Sequence, residues 1–294
     1  MSLSRKVILA CILGSLALLP TAVLADTKAP AKPDPQTQNQ TEEKRKTLLA
    51  DATSAIQETQ NALKLLGDGK KKEALAALER ATGKLDIILA RDPSLTLAPA
   101  GVNVLTVDLQ GGIDVVKGLR KQIEDLMDAG RFQEARRLMG SMASETVVSV
   151  INIPLATYPA AIKDAAKLID ENKTHEAKSA LQTALNTQVV TETIIPLPVV
   201  HAQASLKEAE ALAEKKDRTS EDNTKLKASL DNARSQLERA QALGYGKKSD
   251  FETFYQQLKE IEQKTADNKY GTGFFAKLKA SIADFMKSSQ PHKP

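Results

Sequence analysis

Tryptophan is absent from this 294-residue chain, aromatics make up 3% of it, and there are three histidines and a single cysteine. Each scarcity excludes something. With Cys11 alone there is no intrachain disulfide and no cysteine-rich metal cage. Histidines at 175, 201 and 292 are too scattered for a transition-metal site, so no metal and no cofactor is expected. No H-E-x-x-H pair, P-loop, G-x-S-x-G elbow or dinucleotide fingerprint occurs, and no catalytic residue can be nominated; an enzyme is not expected. The formal net charge of +4 falls to +2 without Arg5 and Lys6, which leaves no broad basic footprint for nucleic acid.

What is present begins with an address. Arg5 and Lys6 precede the apolar run Val7–Leu19, and Val23-Leu24-Ala25 places small residues at −3 and −1. This is the layout of a secretory signal peptide over 1–25, cleaved before Asp26, and it predicts export to the periplasm. The run is too short to cross a hydrocarbon core of about 30 Å. Residues 26–40 carry Pro30, Pro33 and Pro35 among Lys, Gln, Asn and Thr, which predicts a disordered spacer. Thr41 followed by Glu42 and Glu43 reads as an N-cap with acids in the first turn, so the folded part is expected to start there.

One phrase then recurs four times: an apolar residue, Gly or Asn three places on, a base at once, and a carboxylate three residues later. The copies centre on Leu66/Gly69/Lys70/Glu73, Met127/Gly130/Arg131/Glu134, Ile169/Asn172/Lys173/Glu176 and Leu243/Gly246/Lys247/Asp250. Gly and Asn tolerate the positive φ found just past a helix C-terminus. The acid sits where the next helix dipole favours it. Gly69, Gly130, Asn172 and Gly246 are therefore expected to be the turns of helical hairpins.

Apolar spacings of three, four and seven support that reading. Leu49, Ala52, Ile56, Leu63 and Leu66 face Leu75, Leu78, Leu85 and Ile88 in the first hairpin. Ile113, Val116, Leu119, Ile123 and Leu126 face Phe132, Ala135, Leu138, Met139 and Met142 in the second. Ile162, Ala165 and Ile169 face Ala177, Leu181 and Leu185 in the third. Carboxylates such as Glu124, Asp125 and Asp128 read as a solvated helix face.

β-Branched runs ending at Pro154 and Pro196 break the pattern near 147–153 and 189–195, with Leu95-Thr96-Leu97-Ala98-Pro99 as a shorter counterpart. Short strands or irregular helix ends suit them. The predicted fold class is all-α, a bundle of repeated helical hairpins with short β segments at those places, organised as one domain over 41–250.

Eight of the ten aromatics lie at or beyond Tyr245. In the expected extension 251–294, a short helix puts Phe274, Leu278, Ile282 and Phe285 on one face, flanked by Lys277, Lys279 and Lys287. That face is a candidate partner-binding surface, toward the bundle itself, a second copy, a client or a lipid surface in peripheral contact. His201, following the apolar Pro196/Pro198 stretch, is a candidate buried, pH-sensitive group.

The signal peptide, the Pro/Gln spacer, the Gly/Asn-turn hairpins and the Pro-terminated β-branched runs together resemble the YfdX family of exported bacterial proteins, over about 42–250. The resemblance implies a mainly helical periplasmic protein associated with acid, drug and heat stress, without an established enzymatic activity. The expected function is a chaperone-like, stress-protective binding of unfolded periplasmic clients through helical surfaces, with self-association allowed. A periplasmic small-ligand or regulatory protein, with a pocket near His201, is the alternative.

Overall fold

A computed structural model describes residues 35–288. The expected signal peptide at 1–25 and the first part of the spacer lie outside the described residues. By internal contacts the chain divides into two interleaved units. One comprises residues up to Asn103 together with Ser149–Thr191; the other comprises Val104–Val148 together with residues from Glu192 onward.

Among the described residues ten α-helices and three strands follow one another: α1 Pro35–Gly67, α2 Lys71–Arg91, β1 Leu97–Asp108, α3 Ile113–Asp128, α4 Phe132–Ser141, β2 Ser144–Pro154, α5 Tyr158–Asp170, α6 Thr174–Asn186, β3 Val189–Pro196, α7 Leu197–Ala213, α8 Ser220–Leu243, α9 Lys248–Thr265 and, after a 3₁₀ turn at Ala266–Asn268, α10 Ala276–Ser288. The fold is thus mostly helical with short β segments, as predicted. The two expected β-branched runs form β2 and β3, and the strand order is β1-β2-β3. Among the described residues no helix is long and apolar enough to cross a membrane.

Two boundaries differ from expectation. Helix α1 starts at Pro35, so Thr41 lies inside it rather than capping it. The expected division at 250/251 falls inside α9. The C-terminal aromatics share one core with α7 and α8, so a separate extension does not form.

In the first unit, α1 packs on α2, α5 on α6, α2 on α5 and α1 on α6, closing a four-helix bundle. The buried line of α1 is Ala52, Ala55, Thr59, Ala62 and Leu66, facing Ala74, Ala77, Leu78, Ala81, Leu85 and Ile88 of α2. The expected Leu49, Ile56 and Leu63 sit half-buried on its flank. Alanines along the seam let the two backbones approach closely, and the leucines then pack around the seam. In the second unit α3 pairs with α4 and α8, α7 with α8, α8 with α9 and α9 with α10.

The turns obey the phrase. Gly69, Gly130 and Asn172 have φ of +75°, +70° and +60°. In each, the next N–H returns to the carbonyl five residues earlier: Lys70 to Leu65 at 2.9 Å, Arg131 to Leu126 at 2.8 Å and Lys173 to Leu168 at 2.8 Å. That is the αL closure that satisfies a helix's last carbonyls. The fourth copy is displaced by two residues. There Gly244 (φ +89°) ends α8, and the Tyr245 N–H returns to Ala240 at 3.1 Å. Gly246 (φ +78°) also has positive φ but leads into α9, whose start is capped by the Asp250 carboxylate on the Lys247 N–H at 2.9 Å.

Candidate functional site

The four tail residues are not a free surface. Leu278, Ile282 and Phe285 are buried with Phe251, Phe254 and Phe275 in the core of the second unit, and Phe274 packs half-buried against it. Phe285 completes an edge-to-face trio with Phe251 and Phe254, at centroid separations of 5.7 and 5.6 Å. Lys264 lies 5.8 Å from the Phe274 ring centre. An apolar face that finds an aromatic core in its own chain is covered by that core, which is the first of the covers expected for it.

His201 is exposed on α7, and its backbone carbonyl accepts the Ser205 hydroxyl at 3.2 Å. The burial expected for it fails because Ala202, Ser205, Leu206 and Ala209 form the inward face, and position 201 points away from that stripe. An open cavity of about 700 Å³ lies instead along α8 and the end of α9, lined by Leu226, Lys227, Leu230, Asp231, Glu262 and Asp267 among others. His201 does not line it. Among the described residues no group of three His, Cys, Asp or Glu could hold a metal ion.

Two polar networks that no sequence pattern marked organise the second unit. Arg218, 7% exposed, donates to the carbonyls of Ala213 (3.2 Å), Thr265 (2.9 Å) and Lys269 (2.9 Å) and to Asn223 Oδ1 (2.8 Å). It thereby ties the ends of α7 and α9 to the turn where Asp267 and Asn268 adopt positive φ. Arg239 of α8 donates to the Leu109 carbonyl and, at 2.6 Å, to that of Gly111. Tyr245 donates to Glu145 at 2.7 Å and accepts the Ser144 N–H at 3.0 Å, while the Ser144 hydroxyl donates to Asp108. Burial and the Glu145 carboxylate push the Tyr245 phenol above its ordinary range. These groups pair with one another and with backbone and so fix the ends of β1 and β2.

What remains open is apolar. In the part of β1 that belongs to the second unit, Val104, Leu105 and Val107 are 46%, 57% and 37% exposed. Successive strand residues point to opposite faces, so both faces are uncovered there. The inner edge is held by β2, with the Thr106 and Thr146 hydroxyls 2.9 Å apart. β1 ends the sheet, so among the described residues its outer backbone groups have no neighbouring strand. Natural proteins usually blunt such an edge with Lys, Pro or a bulge; this one presents V-L-T-V. The signal was legible as a β-branched run continuing through Val102-Asn103-Val104-Leu105-Thr106-Val107, beyond the Pro99 where the expected segment stopped.

Residues 55–194 match the model of a protein family described as YfdX protein. The resemblance read from the sequence therefore stands over that segment, from within α1 into β3, and stops short of the 250 expected. No curated protein matches the chain. Among solved structures, a crystal form of Salmonella Typhi YfdX is similar at 16% identity and a TM-score of 0.36, covering 51% of this chain and 92% of its own.

Proposed function

We propose that this chain, whose residues 55–194 carry the YfdX match, is a non-enzymatic, periplasmic, stress-protective protein that holds partly unfolded client proteins. The observation that carries the reading is the uncovered outer edge of β1 at Val104–Val107. An extended apolar segment of a client adds to such an edge as a further strand. Backbone hydrogen bonds then supply affinity without sequence selectivity, and the valines and Leu105 grip alternate side chains. Heat and acid both generate clients with exposed strands, and an export address would place the protein among them.

The test is suppression of heat- or acid-induced aggregation of unrelated periplasmic proteins, without nucleotide, under conditions where the protein itself stays folded. Protection is expected at severalfold molar excess. Leu105→Lys and Val107→Lys should reduce it while leaving the melting temperature unchanged. Absence of protection would overturn the client reading. Protection untouched by both variants would remove β1 from it.

A further inference from the structure

Between the 3₁₀ turn after α9 and the start of α10 the chain reads Lys269-Tyr270-Gly271-Thr272-Gly273-Phe274. This segment and the last turns of α9 border an open cleft of about 620 Å³, lined by Glu260, Gln263, Lys264, Lys269, Tyr270 and Phe274. Positions 260, 263 and 264 share one face of α9, because residues three and four apart on a helix are neighbours. Phe274 folds back over Gly271. A Cβ at 271 would run into the Phe274 ring, so glycine there is what lets the ring lie against the backbone.

The segment is held in place by groups outside the cleft. Buried Arg218 donates to the Thr265 and Lys269 carbonyls on either side of the 3₁₀ turn, and the Gly271 N–H donates to the Ala213 carbonyl at 3.2 Å. Lys269 and Tyr270 are thus presented by a backbone already fixed, which lowers the ordering cost of binding. The charges around the cleft do not balance. Glu260 is engaged by Lys277, 3.9 Å away. Among the described residues Lys264 and Lys269 have no carboxylate partner, and the Lys264 ammonium lies 5.8 Å from the centre of the Phe274 ring. Tyr270 is 49% exposed, so much of its ring is in water. Two uncompensated cations beside two aromatic rings suit an anion carried on a flat apolar body.

We infer that this cleft is a binding site for a small aromatic carboxylate. The carboxylate is drawn to the Lys264 and Lys269 ammoniums, and the ring packs on Tyr270 and Phe274. The volume falls in the range of small-molecule sites. The cleft lies wholly outside residues 55–194, which carry the YfdX match, and it is independent of the client reading, which rests on β1.

A fluorescent aromatic carboxylate, 2-naphthoate, tests this with the full chain, which has no tryptophan to overlap its emission. Binding should saturate with a Kd of about 0.1–1 mM, in keeping with roughly a dozen non-hydrogen atoms in an open site. Benzoate should displace the probe. The uncharged 2-naphthamide should bind about tenfold more weakly. Lys264→Gln and Lys269→Gln should each weaken binding about threefold, and the pair about tenfold. Tyr270→Ala should weaken it about threefold. Lys259→Gln, at an exposed lysine of α9 that does not line the cleft, should bind like the wild type. All these side chains are exposed, and circular dichroism should show unchanged helix content. No saturable binding would overturn the inference. So would equal binding of the amide, displacement by inorganic phosphate as effective as by benzoate, or losses at 264 and 269 no greater than at 259.

Discussion

The ammonium of Lys71, the first residue of α2, donates to Oδ1 of Asn172 at 2.9 Å, so the turn of the first hairpin touches the turn of the third. With both turns at one end, α1 and α5 run toward it and α2 and α6 run away. Every packed pair in the bundle, α1 with α2, α2 with α5, α5 with α6 and α6 with α1, is then antiparallel. The bond itself is exposed and worth little. What it reports is the register in which the two alanine- and leucine-lined hairpins close.

At Gly69 and Gly130 a Cβ would meet nothing within 4 Å, so any cost of substitution is conformational. Gly69→Val and Gly130→Val force a β-branched residue to positive φ and should each destabilise by about 1–3 kcal/mol in urea titration. Asn172→Gly should be close to neutral, since glycine accepts φ of +60° freely and loses only the weak bond to Lys71.

Gly246 makes the opposite case. A Cβ there would run into the ring of Phe285, so Gly246→Ala should destabilise the second unit by displacing α10, and near-ultraviolet circular dichroism should register the disturbed aromatic trio.

The buried tail fixes the outcome of truncation. Ending the chain after Lys269 removes Phe275, Leu278, Ile282 and Phe285 from a formed core, so thermal stability should fall. Phe285→Ala alone should cost about 3–5 kcal/mol. A truncated protein with an unchanged melting temperature would contradict this packing.

Arg218→Met keeps the length of the side chain but leaves the carbonyls of Ala213, Thr265 and Lys269 without their donor. A loss of about 2–4 kcal/mol is expected, read as a shift of the denaturant midpoint. Lys in its place should recover only part, because one ammonium cannot reproduce the forked geometry that reaches both helix ends.

Alkaline pH should destabilise the protein through its buried phenols. Burial pushes those of Tyr158 and Tyr245 upward, and burial with Glu238 nearby pushes Tyr255 to about 12. A raised phenol contributes stability below its unfolded pKa of about 10 and loses it as pH climbs further, because only the unfolded chain ionises readily there. Stability should therefore drop above about pH 10, and Tyr245→Phe should flatten that drop while lowering stability at neutral pH through the lost bond to Glu145.

The hairpins were legible because their cause is local. Gly69, Gly130 and Asn172 are the residues that a positive φ admits, and an i, i+3, i+4 stripe needs only the helix's own geometry to appear in the chain. The fourth turn was misplaced by two residues because Gly244 and Gly246 both satisfy that local test. The choice between them came from which one lets the Tyr245 N–H reach Ala240. His201 was misassigned, and the cover of the tail helix was left open between the bundle and outside partners, for one reason: whether an apolar or titratable side chain is covered depends on elements distant in sequence.

By itself, then, the sequence determined a chain of four hairpin turns, three extended runs and an aromatic C-terminal segment, since φ preference and side-chain periodicity are properties of neighbouring residues. Tertiary structure alone decided the rest. It closed two hairpins into one bundle and set α3 of another against α8. It drew Phe285 inward and Arg218 onto three carbonyls, and it set β1 at the end of the sheet with Val104 and Leu105 in water. Burial is a relation between residues far apart in the chain, and only the packed molecule specifies it.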